Sequence, residues 1–289
     1  MEALTVRDKI PPLITASTAR GMLEGRGRVS FDLGLTEEPV VPDGVGFVLP
    51  DGGSVSAEDL ERVAGREGDV FFPDDGGLFQ VAISGGRFFR LLATDGAPTL
   101  EIDGIRMHRT KGVTPEADAE AKIEALGVEG GRVLDTCAGL GYTATGSLRR
   151  GVDLVVSVEL RVETLLIAGL NPWSADLFRD KRVGLVLGDA FDFVGSLPRG
   201  FFDFVVHDPP RFAHAGLLYG SEFYGRLHRV MKPFGRVYHY TGAPGSRFRG
   251  VDVRRGVMRR MRQAGFRGLS YDGETLGVVG ERGADRGFG

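Results

Sequence analysis

Four acids in this 289-residue chain stand where apolar runs stop: Asp135 after "GRVL", Glu159 after "LVVSV", Asp189 after "VGLVLG" and Asp208 after "FDFVVH". In open parallel sheets ligands bind beyond the carboxyl ends of the strands, so these positions are where chemistry is expected. An acid at the second strand's end accepts hydrogen bonds from both hydroxyls of a ribose, and one at the third accepts from an adenine amino group. Between the first two acids, Gly139, Gly141 and Ala144 spell G-x-G-x-x-A, a pattern that suits a pyrophosphate at a helix amino terminus. Asp135 would repel that pyrophosphate and favours a cationic ligand. Taken singly, each acid has a plainer alternative as a turn cap or a solvated strand end; their ordered recurrence describes an adenosine site.

The fourth acid opens Asp208-Pro209-Pro210-Arg211-Phe212. The proline pair fixes the backbone and removes local N–H partners, which leaves Asp208 and the Pro209 carbonyl as acceptors for an incoming amino group. Phe212 offers a ring for stacking, and Arg211 offers either a stacking plane or a phosphate contact. Of the five histidines, His239 near the end of the fifth strand is the one placed to meet substrate beside Asp208. His108 sits at the domain junction, His207 points to the opposite face from Asp208, and nothing in the sequence singles out His214 or His228. Eight arginines against one acid lie between Arg247 and Arg267, and at helical spacing Arg255, Arg259 and Arg262 share a face. That face is either a phosphate-binding surface or an ordinary solvated one over the stripe Val253, Val257, Met261 and Ala264.

The elements around these residues divide the chain at about residue 110. Up to Thr110 the runs are short, as in "VSFDLGL", "LFQVAIS" and "RFFRLLAT", and Gly85-Gly86 and Asp103-Gly104 are hairpin signals. One short helix is expected at "SAEDLERVA", capped by Ser56. From residue 111 the period changes. Thr114 and Pro115 open a helix over "PEADAEAKIEAL", after which strands alternate with helices, ending in two strands split by Asp272-Gly273. Residues 1–110 are therefore expected to form a β-rich amino-terminal domain that serves substrate recognition. Residues 111–289 form an α/β domain with a mostly parallel sheet and a late antiparallel strand.

"VLDTCAGLG", "VVSVE", "LGDAF" and "FVVHDPPRF" resemble the successive motifs of Rossmann-like (class I) S-adenosylmethionine-dependent methyltransferases, over roughly residues 112–289. The resemblance implies that Asp135, Cys137, Ala138, Gly139 and Gly141 surround the methionine part. It likewise assigns Glu159 and Leu160 to the ribose side and Asp189 and Ala190 to the adenine. Cys137 departs from the family pattern, which has glycine there. The Asp-Pro-Pro segment resembles the motif of enzymes that methylate amino nitrogens, with Arg211 in place of the usual aromatic residue. The phrases "PTLEIDGIRMHR", "NPWS" and "HDPPRF" further resemble a group of predicted archaeal methyltransferases with a DPPR motif.

Composition narrows the setting. No 18 consecutive apolar residues occur, and the start "MEALTVRDKIPPL" has no basic-then-apolar leader, so a cytoplasmic protein without a membrane contact is expected. Cys137 is the sole cysteine, and no Cys/His group has zinc-ligand spacing, so no metal is expected. Residues 1–110 carry 11 basic against 18 acidic side chains and residues 111–289 carry 25 against 21. If RNA is the partner, it is expected across the domain cleft and Arg255, Arg259 and Arg262, not over the acidic domain. The resulting reading is a methyltransferase that uses S-adenosylmethionine on a nitrogen in RNA, tRNA or rRNA. Its rivals are a spermidine-synthase-like aminopropyltransferase and a cofactor-binding RNA-recognition protein without turnover.

Overall fold

The computed structural model describes residues 9–75, 77–210, 216–242 and 253–284. The chain forms two units: one comprises residues 1–116 together with 163–178, and the other residues 117–162 with 179–289.

The first unit is built from short strands. Ile14–Thr15 pairs with Val70–Asp74, which pairs with Gly77–Gln80; Ala82–Ser84, Phe88–Leu92, Thr99–Ile102 and Ile105–Arg106 form an antiparallel four-stranded meander. The "LFQVAIS" run does not form one strand. It breaks at Val81, whose N–H bonds to Val70 while its carbonyl accepts from Leu91, so the chain changes sheets there. Asp103 and Gly104 both take left-handed backbone angles, φ 49° and 79°, as the two-residue hairpin requires. Ser56 caps the helix Ala57–Ala64 by accepting from the Asp59 N–H at 3.1 Å, as the sequence led one to expect. "VSFDLGL" is a correction: only Val29 belongs to a strand, Arg28–Val29. Ser30 Oγ takes the N–H groups of Asp32 and Gly34, and Asp32 takes that of Thr36, so side chains capture the backbone into a turn.

The second unit carries a seven-stranded sheet. In chain order its strands are β1 (Arg132–Asp135), β2 (Leu154–Glu159), β3 (Val183–Leu187), β4 (Phe202–His207), β5 (Met231–Tyr240), β6 (Phe266–Asp272) and β7 (Gly277–Arg282). Their order across the sheet is β3-β2-β1-β4-β5-β7-β6, with the first five parallel and β7 antiparallel to both neighbours. This is the α/β fold expected from the sequence. The turn between β6 and β7 is longer than the Asp272-Gly273 pair alone, because Asp272 Oδ1 accepts from the N–H groups of Glu274 and Thr275. The helices are α1 (Pro115–Leu126), α2 (Tyr142–Arg149), α3 (Ala190–Ser196), α4 (Ser221–Val230) and α5 (Val253–Gln263). Leu134, Val158, Val205 and Val237 of the sheet join Phe223 and Leu227 of α4 and Val257 and Met261 of α5 in one buried core. Near-continuous apolar strands buried on both faces explain that choice of partners. The chain reverses its direction of winding between β1 and β4, where ligands of such sheets are received.

Candidate active site

The turn after β1 is shaped by its two glycines. Gly139 (φ 54°) and Gly141 (φ 81°) are left-handed, and Gly141 is the N-cap of α2. Cys137 is not among the left-handed residues, so a side chain fits where the family pattern has glycine. Asp135 is fully buried and accepts from Ser157 Oγ (2.9 Å), Thr143 Oγ1 (3.0 Å) and the Cys137 N–H (3.3 Å). Burial nevertheless outweighs those donors and raises its pKa to about 6.

Glu159, at the end of β2, accepts from the Gly139 N–H at 3.0 Å and the Arg161 N–H at 2.9 Å. Burial again prevails and carries its pKa to about 7. Two carboxyls desolvated in this way gain from a cation more than exposed ones would. Burial pushes the Cys137 thiol well up, and the charges of Glu159, Asp135 and Asp208 push it further. Ala138 is buried and Leu160 is 56% exposed beside Glu159. Asp189 lies two residues beyond β3 and caps α3 by accepting from the Phe191 N–H at 2.7 Å, with Ala190 buried behind it.

Asp208 follows β4 directly. Its Oδ2 accepts from the Lys122 ammonium at 2.6 Å, and the same ammonium donates to Asp118 at 2.7 Å. Pro209 is buried and Pro210 is exposed, and the Tyr219 hydroxyl donates to the Pro210 carbonyl at 3.1 Å. Arg211 and Phe212 lie outside the described residues. His239 is fully buried beside His207, the rings 4.4 Å apart. Its Nε2 pairs with the Tyr224 hydroxyl at 2.9 Å and its Nδ1 with the His207 carbonyl at 3.3 Å. Both ring nitrogens of this expected substrate-facing residue are therefore engaged within the protein. Arg255, Arg259 and Arg262 are exposed on α5 while Val257 and Met261 are buried, the two faces their spacing foretells.

Sequence reasoning missed Lys122 and Asp118. A signal was present: Ala119, Lys122, Ile123 and Leu126 follow the i, i+3, i+4, i+7 spacing of a buried helix face, and Lys122 occupies one of its positions.

No family model matches the chain. It is 43% identical to the Methanocaldococcus jannaschii protein MJ1233 over 274 residues, covering 92% of this chain and 94% of that one. The chain belongs to the MJ1233 family. This MJ1233-family chain is also 31% identical over 230 residues to polyamine aminopropyltransferase 2 of Streptomyces coelicolor, covering 75% of this chain but 39% of that protein. Among solved structures, a spermidine synthase in complex with the transition-state analogue AdoDATO superposes with a TM-score of 0.55 at 17% identity, covering 71% of this chain and 73% of that one. At that identity the likeness establishes the Rossmann-like fold of the MJ1233-family chain and nothing finer.

Proposed function

We propose that this chain is a transferase that takes S-adenosylmethionine as donor and passes its methyl group to an amino nitrogen, with RNA as the molecule carrying that nitrogen. One observation carries the donor half: Asp135, Glu159 and Asp208 stand at the carboxyl ends of the adjoining strands β1, β2 and β4, the first two desolvated, where such sheets bind ligands. The donor supplies a methyl group already activated by the positive sulfur. The residues present fit it. Glu159 accepts from the ribose hydroxyls, Asp189 from the adenine amino group, and Asp135 adds negative charge beside the sulfonium and ammonium.

Asp208 and the Pro209 carbonyl receive the two N–H bonds of the acceptor and so aim its lone pair at the methyl carbon. With the donor bound, the acceptor nitrogen would bond the methyl carbon as the C–S bond breaks, the bonding pair would stay with sulfur, and the nitrogen would shed its extra proton to water. Because the leaving group is preactivated, orientation supplies most of the rate. The RNA half is supported by the exposed Arg255, Arg259 and Arg262 on α5. Replacing all three should weaken RNA binding across sequences and reduce the slope of log affinity against log salt, by roughly 0.7 for each single-strand phosphate that the protein no longer neutralises. An unchanged slope would remove the arginine face from the proposal.

A second reading, aminopropyl transfer, is favoured by the Streptomyces coelicolor relative. Calorimetry with S-adenosylmethionine, its decarboxylated form and a nicotinamide dinucleotide tests the donor. Incubation of each sulfonium with RNA, DNA, protein and polyamine fractions then identifies the group moved and its recipient. Methyl transfer to RNA sustains the proposal, and an aminopropyl product replaces it with the second reading. Sulfonium binding without transfer to any fraction would leave a recognition protein, and dinucleotide binding alone would overturn all three.

A further inference from the structure

Lys122 has surroundings more specific than a structural ion pair needs. Asp118 and Lys122 lie one turn apart on α1, and both are nearly inaccessible to solvent, at 2% and 6%. The ammonium donates to Asp118 Oδ2 at 2.7 Å and to Asp208 Oδ2 at 2.6 Å, and it lies 4.8 Å from the centre of the Tyr240 ring. Two carboxylates and an aromatic face are what a protein assembles to hold an alkylammonium ion. Here the box is filled from within the chain. Burial by itself would lower the Lys122 pKa, but Asp208 and Asp118 more than offset it and hold the group above its ordinary value. The nitrogen keeps its proton, has no lone pair to offer, and is not a nucleophile.

We propose that Lys122 determines acceptor specificity: by filling the Asp118–Asp208–Tyr240 box it makes the site take a neutral amino group and refuse an aliphatic ammonium or polyamine. The inference rests on the reading above, in which Asp208 faces the acceptor. With Oδ2 committed to Lys122, Asp208 offers the acceptor Oδ1. The Tyr219 hydroxyl takes the Pro210 carbonyl, which leaves that of Pro209 as the second acceptor. Two acceptors match the two N–H bonds of a neutral amine on a nucleobase. An alkylammonium brings a third N–H and a positive charge, and it would have to settle beside an existing ammonium whose charge already offsets one of the two carboxylates. Like charges brought side by side repel strongly in a partly desolvated site.

The test is calorimetric titration of wild type and Lys122→Ala with 1,4-diaminobutane, with S-adenosylmethionine titrated in parallel. Wild type should bind the sulfonium and show no diamine heat. Lys122→Ala, which exposes both carboxylates and vacates the ammonium's place, should bind the diamine on the order of tenfold or more tighter than wild type does. Adding Asp118→Asn to that variant should abolish the gain. If Lys122→Ala does not fold, Lys122→Met keeps the volume of the stem, and the melting temperature of Lys122→Met should rise with the diamine and not with butanol. Should neither variant fold alone, refolding each with the diamine present is the readout, and no recovery counts against the proposal. Diamine binding by wild type as tight as by the variant overturns it, and so does a folded variant that gains nothing. Failure of wild type to bind S-adenosylmethionine is a different result, because it removes the proposed donor whatever the diamine does.

Discussion

The sheet of the second unit holds two groups of polar side chains near the ends of its central strands, all buried except the half-buried Asp208. Asp135, Glu159 and Asp208 carry charge, and the first two are left poorly solvated, with pKa values raised by burial to about 6 and about 7. His207, His239, Tyr224 and Thr136 form the other group, in which burial drives His207 down to about 3 and His239 well below its ordinary value. Both imidazoles are therefore neutral, and their hydrogen bonds fix the tautomers. His207 Nε2–H donates to the Leu218 carbonyl at 3.0 Å and its Nδ1 accepts from the Thr136 hydroxyl at 2.7 Å; His239 Nδ1–H donates to the His207 carbonyl and its Nε2 accepts from Tyr224. The ring nitrogens of the second group are all engaged, and the Arg260 guanidinium also acts on Tyr224 and His239. In the first, the Lys122 ammonium meets Asp208 while burial leaves Asp135 and Glu159 to gain from a cation, whereas the hydrogen bonds of the second hold strand ends and helix in place.

The hardest test of that contrast is Asp208→Ala. It should lower turnover by a factor on the order of a hundred or more while the donor still binds, because Asp135, Glu159 and Asp189 remain. Single-turnover rates and calorimetry on the same preparation separate the two effects; wild-type turnover in a folded variant would place the acceptor elsewhere.

Glu159→Ala should weaken donor binding by about 1–3 kcal/mol through the loss of charge-assisted hydrogen bonds. A companion pH effect sharpens it. Glu159 and Asp135 must be ionised to serve a cation, so donor affinity should climb as pH rises through about 6 and about 7 and level off above. Stability without ligand should move the other way. A carboxyl whose folded pKa lies above its unfolded value binds its proton more tightly when folded, so this contribution falls as pH rises from about 4 through about 7. Melting curves with and without donor should thus diverge with rising pH, and curves that stay parallel would show that neither acid meets the ligand.

On the neutral side, Tyr224→Phe leaves His239 Nε2 buried without a donor and should cost about 1–2 kcal/mol of stability with little change in donor affinity. Chemical denaturation measures the first and calorimetry the second. A larger loss in binding than in stability would make the histidine cluster part of the site.

Strands β1 to β4 were legible because each is a largely apolar run, and the strand-end positions of Asp135, Glu159 and Asp208 because an acid follows the run; β5 was legible only from Arg236, because Lys232, Pro233 and Gly235 interrupt its first half. Asp189 was legible too, although it caps α3 and stands beyond the strand. The amino-terminal unit was harder to read. Ser30 and Asp32 bend a run that alternates like a strand, and Val81 divides another because its two neighbours belong to different sheets. The Lys122–Asp208 pair joins residues 86 positions apart, and nothing local in "AEAKIEAL" indicates its partner. Propensity and periodicity report what a segment does with itself, while such a pairing depends on how α1 lies against β4.

The two backbone N–H groups that grip Glu159 have one more consequence. Gly139 holds one carboxylate oxygen and Arg161 the other, so the side chain is already confined to a single rotamer. A flexible glutamate would surrender that freedom on meeting a ribose, at a cost of about 0.5–1.5 kcal/mol. Here the loss was incurred during folding, each oxygen keeps a lone pair for a hydroxyl, and if Glu159 meets the ribose as proposed, its side chain should add almost nothing to the conformational entropy cost of association.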